Sequence, residues 1–187
     1  MRLYNNVKIW EAACATSAAS SFFDKVELGP AGQKFRDGGT GANNPVRELW
    51  NEAKAAFSND SADIFVKNLR TIVSIGTGVP DLTPFGDDPF SVGKTLLNIA
   101  TQTATTAANF HRDHSDLSDD GRYYRFNVAR GLGAIGLEEA NQAAMVISIT
   151  DDYLADQGTH SALQRCAKSL GDPKIVEAGE IAASTYI

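Results

Sequence analysis

A run of β-branched residues, Thr71-Ile72-Val73-Ser74-Ile75, stops abruptly at Gly76-Thr77-Gly78. Apolar positions that follow one another without strict alternation are the pattern of a parallel strand covered on both faces, and β-branched side chains fit extended backbone. The glycines then open the carboxyl end of that strand into a loop, the place where sites gather in open α/β sheets. Flanking segments agree with this design. From Asn44 to Phe57, residues Val46, Leu49, Trp50, Ala53 and Phe57 fall at i, i+3, i+4, i+7 and i+11, a helix face turned to a core, with Glu48, Glu52 and Lys54 off it. Residues 91–109 read as a threonine-rich helix and Tyr123-Tyr124-Arg125-Phe126-Asn127-Val128 as a second strand. Residues 137–154 and 161–170 read as helices, with Leu137, Ala140, Ala144, Ile147 and Leu154 helping to form one apolar side.

The N-terminal part leads to a single loop. Residues 7–19 are alanine-rich, with Ile9, Trp10, Ala13 and Ala18 near helical spacing, and predict a buried helix. An apolar segment with Phe22, Phe23, Val26 and Leu28 then predicts a short strand, Gly29-Pro30-Ala31-Gly32 a turn, and residues 33–36 a returning strand, a hairpin that delivers Asp37. Gly38, Gly39 and Gly41 follow. Glycine takes positive φ without a Cβ penalty, so the expectation is a sharp fold-back that leaves Asp37 facing open space. Asn43 or Asn44 caps the next helix, and Pro45 suits its first turn. An aspartate before glycine also commonly bonds its own backbone, and on spacing alone the two readings of Asp37 are balanced.

Size and charge narrow the function classes. A chain of 187 residues, 43% of them hydrophobic, can build one core and not two ordinary domains. Its net charge of −6 argues against a surface that draws nucleic acid or anionic membrane by electrostatics. No apolar run approaches the roughly 20 residues of a spanning helix, and a cytoplasmic setting is expected, with Cys14 and Cys166 reduced and buried. Neither an internal repeat nor a low-complexity segment is present.

The Asp37-Gly38-Gly39 stretch resembles the Asp-Gly-Gly/Ala motif of the patatin-like phospholipases (lipid acyl hydrolases), and Trp10-Glu11-Ala12-Ala13-Cys14-Ala15-Thr16-Ser17-Ala18-Ala19 resembles the run that precedes it there. Arg47 to Ala53, Ser74-Ile75-Gly76-Thr77-Gly78 and Tyr124-Arg125-Phe126-Asn127-Val128 resemble further segments of fungal members. The resemblance covers residues 7–170. It implies a patatin-like (FabD/lysophospholipase-like) three-layer α/β/α fold with a mostly parallel sheet, present as a partial domain over residues 1–170, with 171–187 a tail. It implies a Ser–Asp dyad in which Asp37 is the base, Gly38 and Gly39 form its motif loop, the substrate is a lipid ester, and contact with a membrane surface is transient. No cofactor, metal or nucleic acid is implied.

The departures are as informative. Only 36 residues precede Asp37, and no serine stands in the G-x-S-x-G elbow that carries the family's nucleophile; the glycine-rich oxyanion loop is missing too. The expectation is therefore the C-terminal half of a catalytic domain, which holds the base and needs a missing N-terminal half. The alternative is an inactive remnant that keeps the motif without chemistry. Without the first strands of the sheet, residues 70–75 should show an unpaired edge or a bare apolar face. A dyad without histidine favours a partly desolvated carboxylate, for which Phe22, Phe23 and Phe35 are the neighbours in sequence.

Rival motifs are weaker. Gly131-Leu132-Gly133-Ala134-Ile135-Gly136 has the dinucleotide spacing, but Asp151 and Asp152 lie in a helical stretch where a second strand is required. Gly93-Lys94-Thr95 lacks the glycine of a phosphate loop, since Asp88 stands there. His111, His114, Asp113 and Asp116 offer metal-ligand types without a third cluster, and His160 is a triad histidine only if brought to a serine and Asp37. Ser17 and Ser74, the serines nearest the recognised segments, read as packing or capping residues. Asn59-Asp60-Ser61 reads as a turn, and the proline-rich residues 79–91 as a surface loop, with a lid as the bolder reading.

Overall fold

The computed structural model of the protein describes residues 6–19, 22–57, 62–79, 92–133, 135 and 139–171. At its centre two short strands, β3 (Ile72–Ile75) and β4 (Tyr123–Phe126), run parallel, with Ile72 beside Tyr123 and Ile75 beside Phe126. Strand alternation sends Ile72, Ser74, Tyr123 and Arg125 to one face. That face is closed by helices α2 (Val46–Phe57), α3 (Ala62–Asn68), α4 (Val92–Asp113) and α5 (Ser115–Asp119), and Val46, Ile72, Phe110, Leu117 and Tyr123 make the core there, with Trp50, Val66 and Leu69 packed on it. Helix α7 (Gln157–Gly171) packs against β4, its Cys166 buried, and α6 (Ala143–Ala155) runs beside α7. The fold is mixed α/β about a parallel pair, as the β-branched run implied.

The joints are specific. Asn44 is buried, and its Oδ1 accepts from the Val46 N–H while its Nδ2 donates to the Thr103 carbonyl, so one side chain starts α2 and ties it to α4. Arg47 of α2 meets Asp113 at the end of α4 at 2.6 Å. Arg122 donates to the carbonyls of Val66 and Leu69, which anchors the end of α3 to the start of β4. Gly76 is required by close approach: a Cβ there would lie 2.1 Å from Asn127 Oδ1, an atom that accepts the Gly78 N–H.

The N-terminal part is an antiparallel hairpin, β1 (Val26–Leu28) with β2 (Gln33–Phe35), leaned on by α1 (Ile9–Thr16). The hairpin was legible in the apolar runs and the Gly29-Pro30-Ala31-Gly32 cluster, where Gly29 and Gly32 both take positive φ.

Several expectations need correction. Helix α1 is not buried: Ala15 is the one residue inside it that is, and Ile9 is 91% exposed. It packs chiefly on β1. The stripe of α2 is only partly covered, with Leu49 and Phe57 exposed. The 137–154 helix begins at Ala143 after a 3-10 turn at Ala140–Gln142; Ala140, Ala144 and Ile147 are exposed, and Leu137 lies outside the described residues. Helix α3 went unread, because it is only seven residues long and starts within the polar stretch Ser58 to Asp63. Cys14 is exposed, and both cysteines are free. Residues 80–91, 172–187 and Asn59-Asp60-Ser61 lie outside the described residues. Strand β3 has β4 on one edge and no partner on the other among the described residues, and Ile75 at its carboxyl end is 78% exposed. An unpaired edge or a bare apolar face was the expectation for residues 70–75.

Candidate functional site

The hairpin ends at Phe35, and two residues later the Asp37 N–H donates to the Ala18 carbonyl at 3.0 Å, which fixes the loop to the segment after α1. Asp37 then caps a 3-10 turn, Gly38–Thr40, with Oδ1 accepting the Gly39 N–H at 2.6 Å. This is the local bond that aspartate before glycine makes. It leaves Oδ2 without a hydrogen-bond partner among the described residues, and Asp37 is half-buried. Downstream, Asn43 donates to Thr103 Oγ1 at 2.8 Å and Asn44 to the Thr103 carbonyl, so the loop leaves the hairpin and is clamped to α4 within a few residues.

The glycines do their work differently from the expectation. None of Gly38, Gly39 and Gly41 has positive φ, and Gly41 sits at φ −147°. Gly39 is needed for closeness: a Cβ would stand 3.2 Å from Asp37 Oδ1, the acceptor of its own N–H. Gly38 has only Ala42 Cβ nearby, and the Ala42 N–H returns to the Gly38 carbonyl at 2.6 Å. The fold-back is a helical turn rather than a left-handed one.

Next to this loop, α1, the hairpin and Gly38 border an open cavity of about 400 Å³, walled chiefly by Ala12, Ala15, Leu28 and Phe35, with Arg36 at its polar side; Asp37 itself is not among the described residues that line it. Of the three phenylalanines expected to desolvate Asp37, Phe35 lines this cavity, while Phe22 and Phe23 are 51% and 67% exposed. Neither recognised serine is joined to the aspartate. Ser74 is buried and accepts from Arg125 Nη1 at 2.9 Å; Ser17 is the C-cap of α1.

The rival motifs resolve into structure. His111 Nδ1 shares a hydrogen bond with Ser118 Oγ at 2.7 Å, and the His114 ring packs on Trp50 and Phe110, so the two imidazoles serve separate contacts. Among the described residues no group of three or more metal-ligand types converges. Gly93-Lys94-Thr95 lies within α4, His160 pairs with Gln164 on α7, and Gly131 takes positive φ under Ile149 of α6. The sequence reading missed Asn127. Its Oδ1 holds the Gly78 N–H and its own N–H donates to the Tyr153 hydroxyl, so it braces the Gly76-Thr77-Gly78 loop from the neighbouring strand. An asparagine directly after a strand was the available signal.

No family model matches the chain. Individual proteins do. The chain is 31% identical over 189 residues to patatin-like phospholipase 1 of Plasmodium falciparum, an alignment that takes in 90% of the chain. The chain belongs to the patatin-like phospholipase family. Over 89% of its length it is also 30% identical to the calcium-independent phospholipase A2-gamma of rabbit, and over 64% to that of mouse. It spans about a quarter of the length of the first of these relatives, 27%, and 20% of the second. In this patatin-like chain, then, the Asp37 loop, the hairpin and the parallel pair fall within the aligned region, as nine-tenths of the chain does.

Proposed function

We propose that the chain is the base-bearing portion of a lipid acyl hydrolase, an ester hydrolase of phospholipase A type that works by a Ser–Asp dyad, with Asp37 as its base. One observation carries this: Asp37 Oδ1 accepts the Gly39 N–H while the other carboxylate oxygen has no partner among the described residues, in a loop whose neighbouring residues Arg36 and Gly38 line an apolar cavity. In the complete domain that oxygen accepts the proton of a serine hydroxyl at roughly 2.6–3.2 Å, the serine oxygen attacks the ester carbonyl, and backbone N–H groups stabilise the oxyanion. The intermediate collapses to an acyl-serine as the alcohol leaves with the proton that Asp37 took, and water, giving a proton to Asp37, attacks the acyl-serine and releases the fatty acid as that proton returns to the serine oxygen. The serine and the oxyanion donors come from polypeptide outside this chain, and the open edge of β3 with exposed Ile75 is where a further parallel strand fits. The relatives' names supply the substrate class, and Gly38 and Gly39 act by shaping the loop. A cytoplasmic setting with transient contact at lipid surfaces fits a chain in which no described helix is long and apolar enough to cross a membrane.

The test joins this chain to an upstream segment bearing G-x-S-x-G and measures hydrolysis of a p-nitrophenyl ester and of phospholipid vesicles. Asp37→Asn should lower turnover by about 10⁴-fold. Turnover unchanged by that substitution removes Asp37 from the mechanism. The 187-residue chain alone should hydrolyse nothing above buffer. Activity of the chain alone that vanishes in Asp37→Asn means that a serine within it attacks.

The second reading, a remnant without chemistry, is favoured by the turn bond from Asp37 to Gly39, which a purely structural aspartate makes equally well. It predicts no turnover in the joined protein either.

A further inference from the structure

We propose that a second cavity, between α4, α5 and β4 and distinct from the Asp37 loop, binds a small oxyanion, a carboxylate or a phosphate, through Arg125 and the Tyr123 hydroxyl. Ala107, His111, Ser118, Tyr123 and Arg125 line it, and it holds about 330 Å³, room for the anion with a short organic substituent. The strand places the two key residues together. Tyr123 and Arg125 are two apart on β4 and point to the same face, next to Ile72 and Ser74 of β3.

Two observations independently point to a ligand. Tyr123 is only 7% exposed, yet its hydroxyl has no hydrogen-bond partner among the described residues, and burial pushes its pKa up despite the nearby Ser74 hydroxyl and Arg125 charge. A buried hydroxyl left unpaired is costly, and a wall of the cavity is where a partner can arrive. Arg125, for its part, spends Nη1 on Ser74 Oγ and meets no carboxylate among the described residues, whereas Arg47, Arg112 and Arg122 each pair with an aspartate. A guanidinium carries five N–H donors in a planar fork that suits an oxyanion. No acidic residue among the described ones lines the cavity, although the chain as a whole is acidic. On its exposed side His111 and Ser118 are joined at 2.7 Å, which gives the rim further polar groups.

Calorimetric titration of the 187-residue chain with inorganic phosphate, glycerol 3-phosphate and butyrate, against chloride at equal ionic strength, tests this. At least one should bind saturably, with a dissociation constant of about 1–10 mM. Whichever of the phosphate and carboxylate probes binds more tightly identifies the source as a headgroup-type or fatty-acid-type anion. Arg125→Gln should weaken binding about tenfold or more, and Tyr123→Phe about threefold, while Arg112→Gln leaves it unchanged. Tyr123→Phe removes a hydroxyl that bonds nothing among the described residues, so it should fold as well as the parent and keeps the test decisive if Arg125→Gln does not fold. Absence of saturable binding to all three probes up to about 50 mM overturns the site. So does undiminished binding in Tyr123→Phe or in a folded Arg125→Gln.

Discussion

The body around β3 and β4 and the N-terminal part that carries Asp37 are built to different standards of closure. In the body, Phe110 and Leu117 are fully enclosed, Trp50 meets Phe65 and Phe110 edge-on at 5.1 and 5.9 Å, and side chains of Asn44, Arg122 and Asn127 bond backbone groups of other elements. Among the described residues of the N-terminal part only Ala15 and Ala18 are buried, and Ile9, Trp10, Phe22 and Phe23 are exposed. Burial of apolar surface is worth about 25 cal/mol per Å², so the second region leaves unrealised the stabilisation that the first has collected. The carboxylate of the proposed dyad thus stands on the less closely packed of these two regions.

That contrast is sharpest between two phenylalanines. Phe110→Ala should cost about 3–5 kcal/mol, since it removes a ring that touches Trp50, His114 and Tyr123 and leaves a cavity. Phe23→Ala should change stability by less than about 0.5 kcal/mol. Urea denaturation of the two variants measures both. Equal losses would mean that the N-terminal part is packed as tightly as the body, and the contrast would be gone.

A pair of glycines repeats the comparison on a smaller scale. Gly76→Ala puts a methyl 2.1 Å from Asn127 Oδ1 and 2.5 Å from Arg125 Nη2, so Asn127 must move and release the Gly78 N–H; about 1–3 kcal/mol should be lost. Gly41→Ala meets nothing within 4 Å at an ordinary negative φ and should be neutral or slightly stabilising. Thermal melts of both variants decide it.

These glycines also mark what could be read in advance. The parallel pair, the hairpin and the start of α2 were legible because their signals are local: β-branched runs, a glycine–proline turn and an asparagine before Pro45. The family was legible from motif order. Burial was not. Ile9, Trp10, Leu49, Phe57 and Ile147 have apolar side chains in helical patterns, and periodicity states which face should be covered without stating whether the covering surface is present. The same limit applies at the site. Asp37 followed by glycines announced a turn, but not its hand, since glycine takes either sign of φ, nor the hydrogen bonds of Asn43 and Asn44 to Thr103, some 60 residues away.

Charge gives the third comparison. The Arg47 guanidinium beside Asp113 holds its carboxyl below the ordinary value of 3.8, with Arg112 adding to the effect. A carboxyl depressed in the folded state contributes stability that is present above its unfolded value and lost as pH falls through the folded one. The body should therefore weaken below about pH 4, and Asp113→Asn should remove part of that acid slope while lowering stability slightly at neutral pH. Because the pair is exposed, added salt should shrink the difference. A pH series of urea midpoints at low and high salt checks the sign, and a slope that Asp113→Asn leaves unaltered would place the acid sensitivity elsewhere.

The smallest effect is expected at Asp37, and its smallness is what makes the site testable. An asparagine can offer the same Oδ1 to the Gly39 N–H, so Asp37→Asn keeps the turn and should alter stability by less than about 0.5 kcal/mol, whereas Asp37→Ala loses the cap and should cost about 0.5–2 kcal/mol. Exchange of the Gly39 amide should quicken in the alanine variant only. If the asparagine variant proved as unstable as the alanine one, the charge itself would be holding the loop, and lost turnover in Asp37→Asn could no longer be assigned to a missing base. If instead the two differ as expected, the side chain has separable duties: one oxygen keeps a loosely packed loop in shape, and the charge is left over for a hydroxyl brought to it from outside.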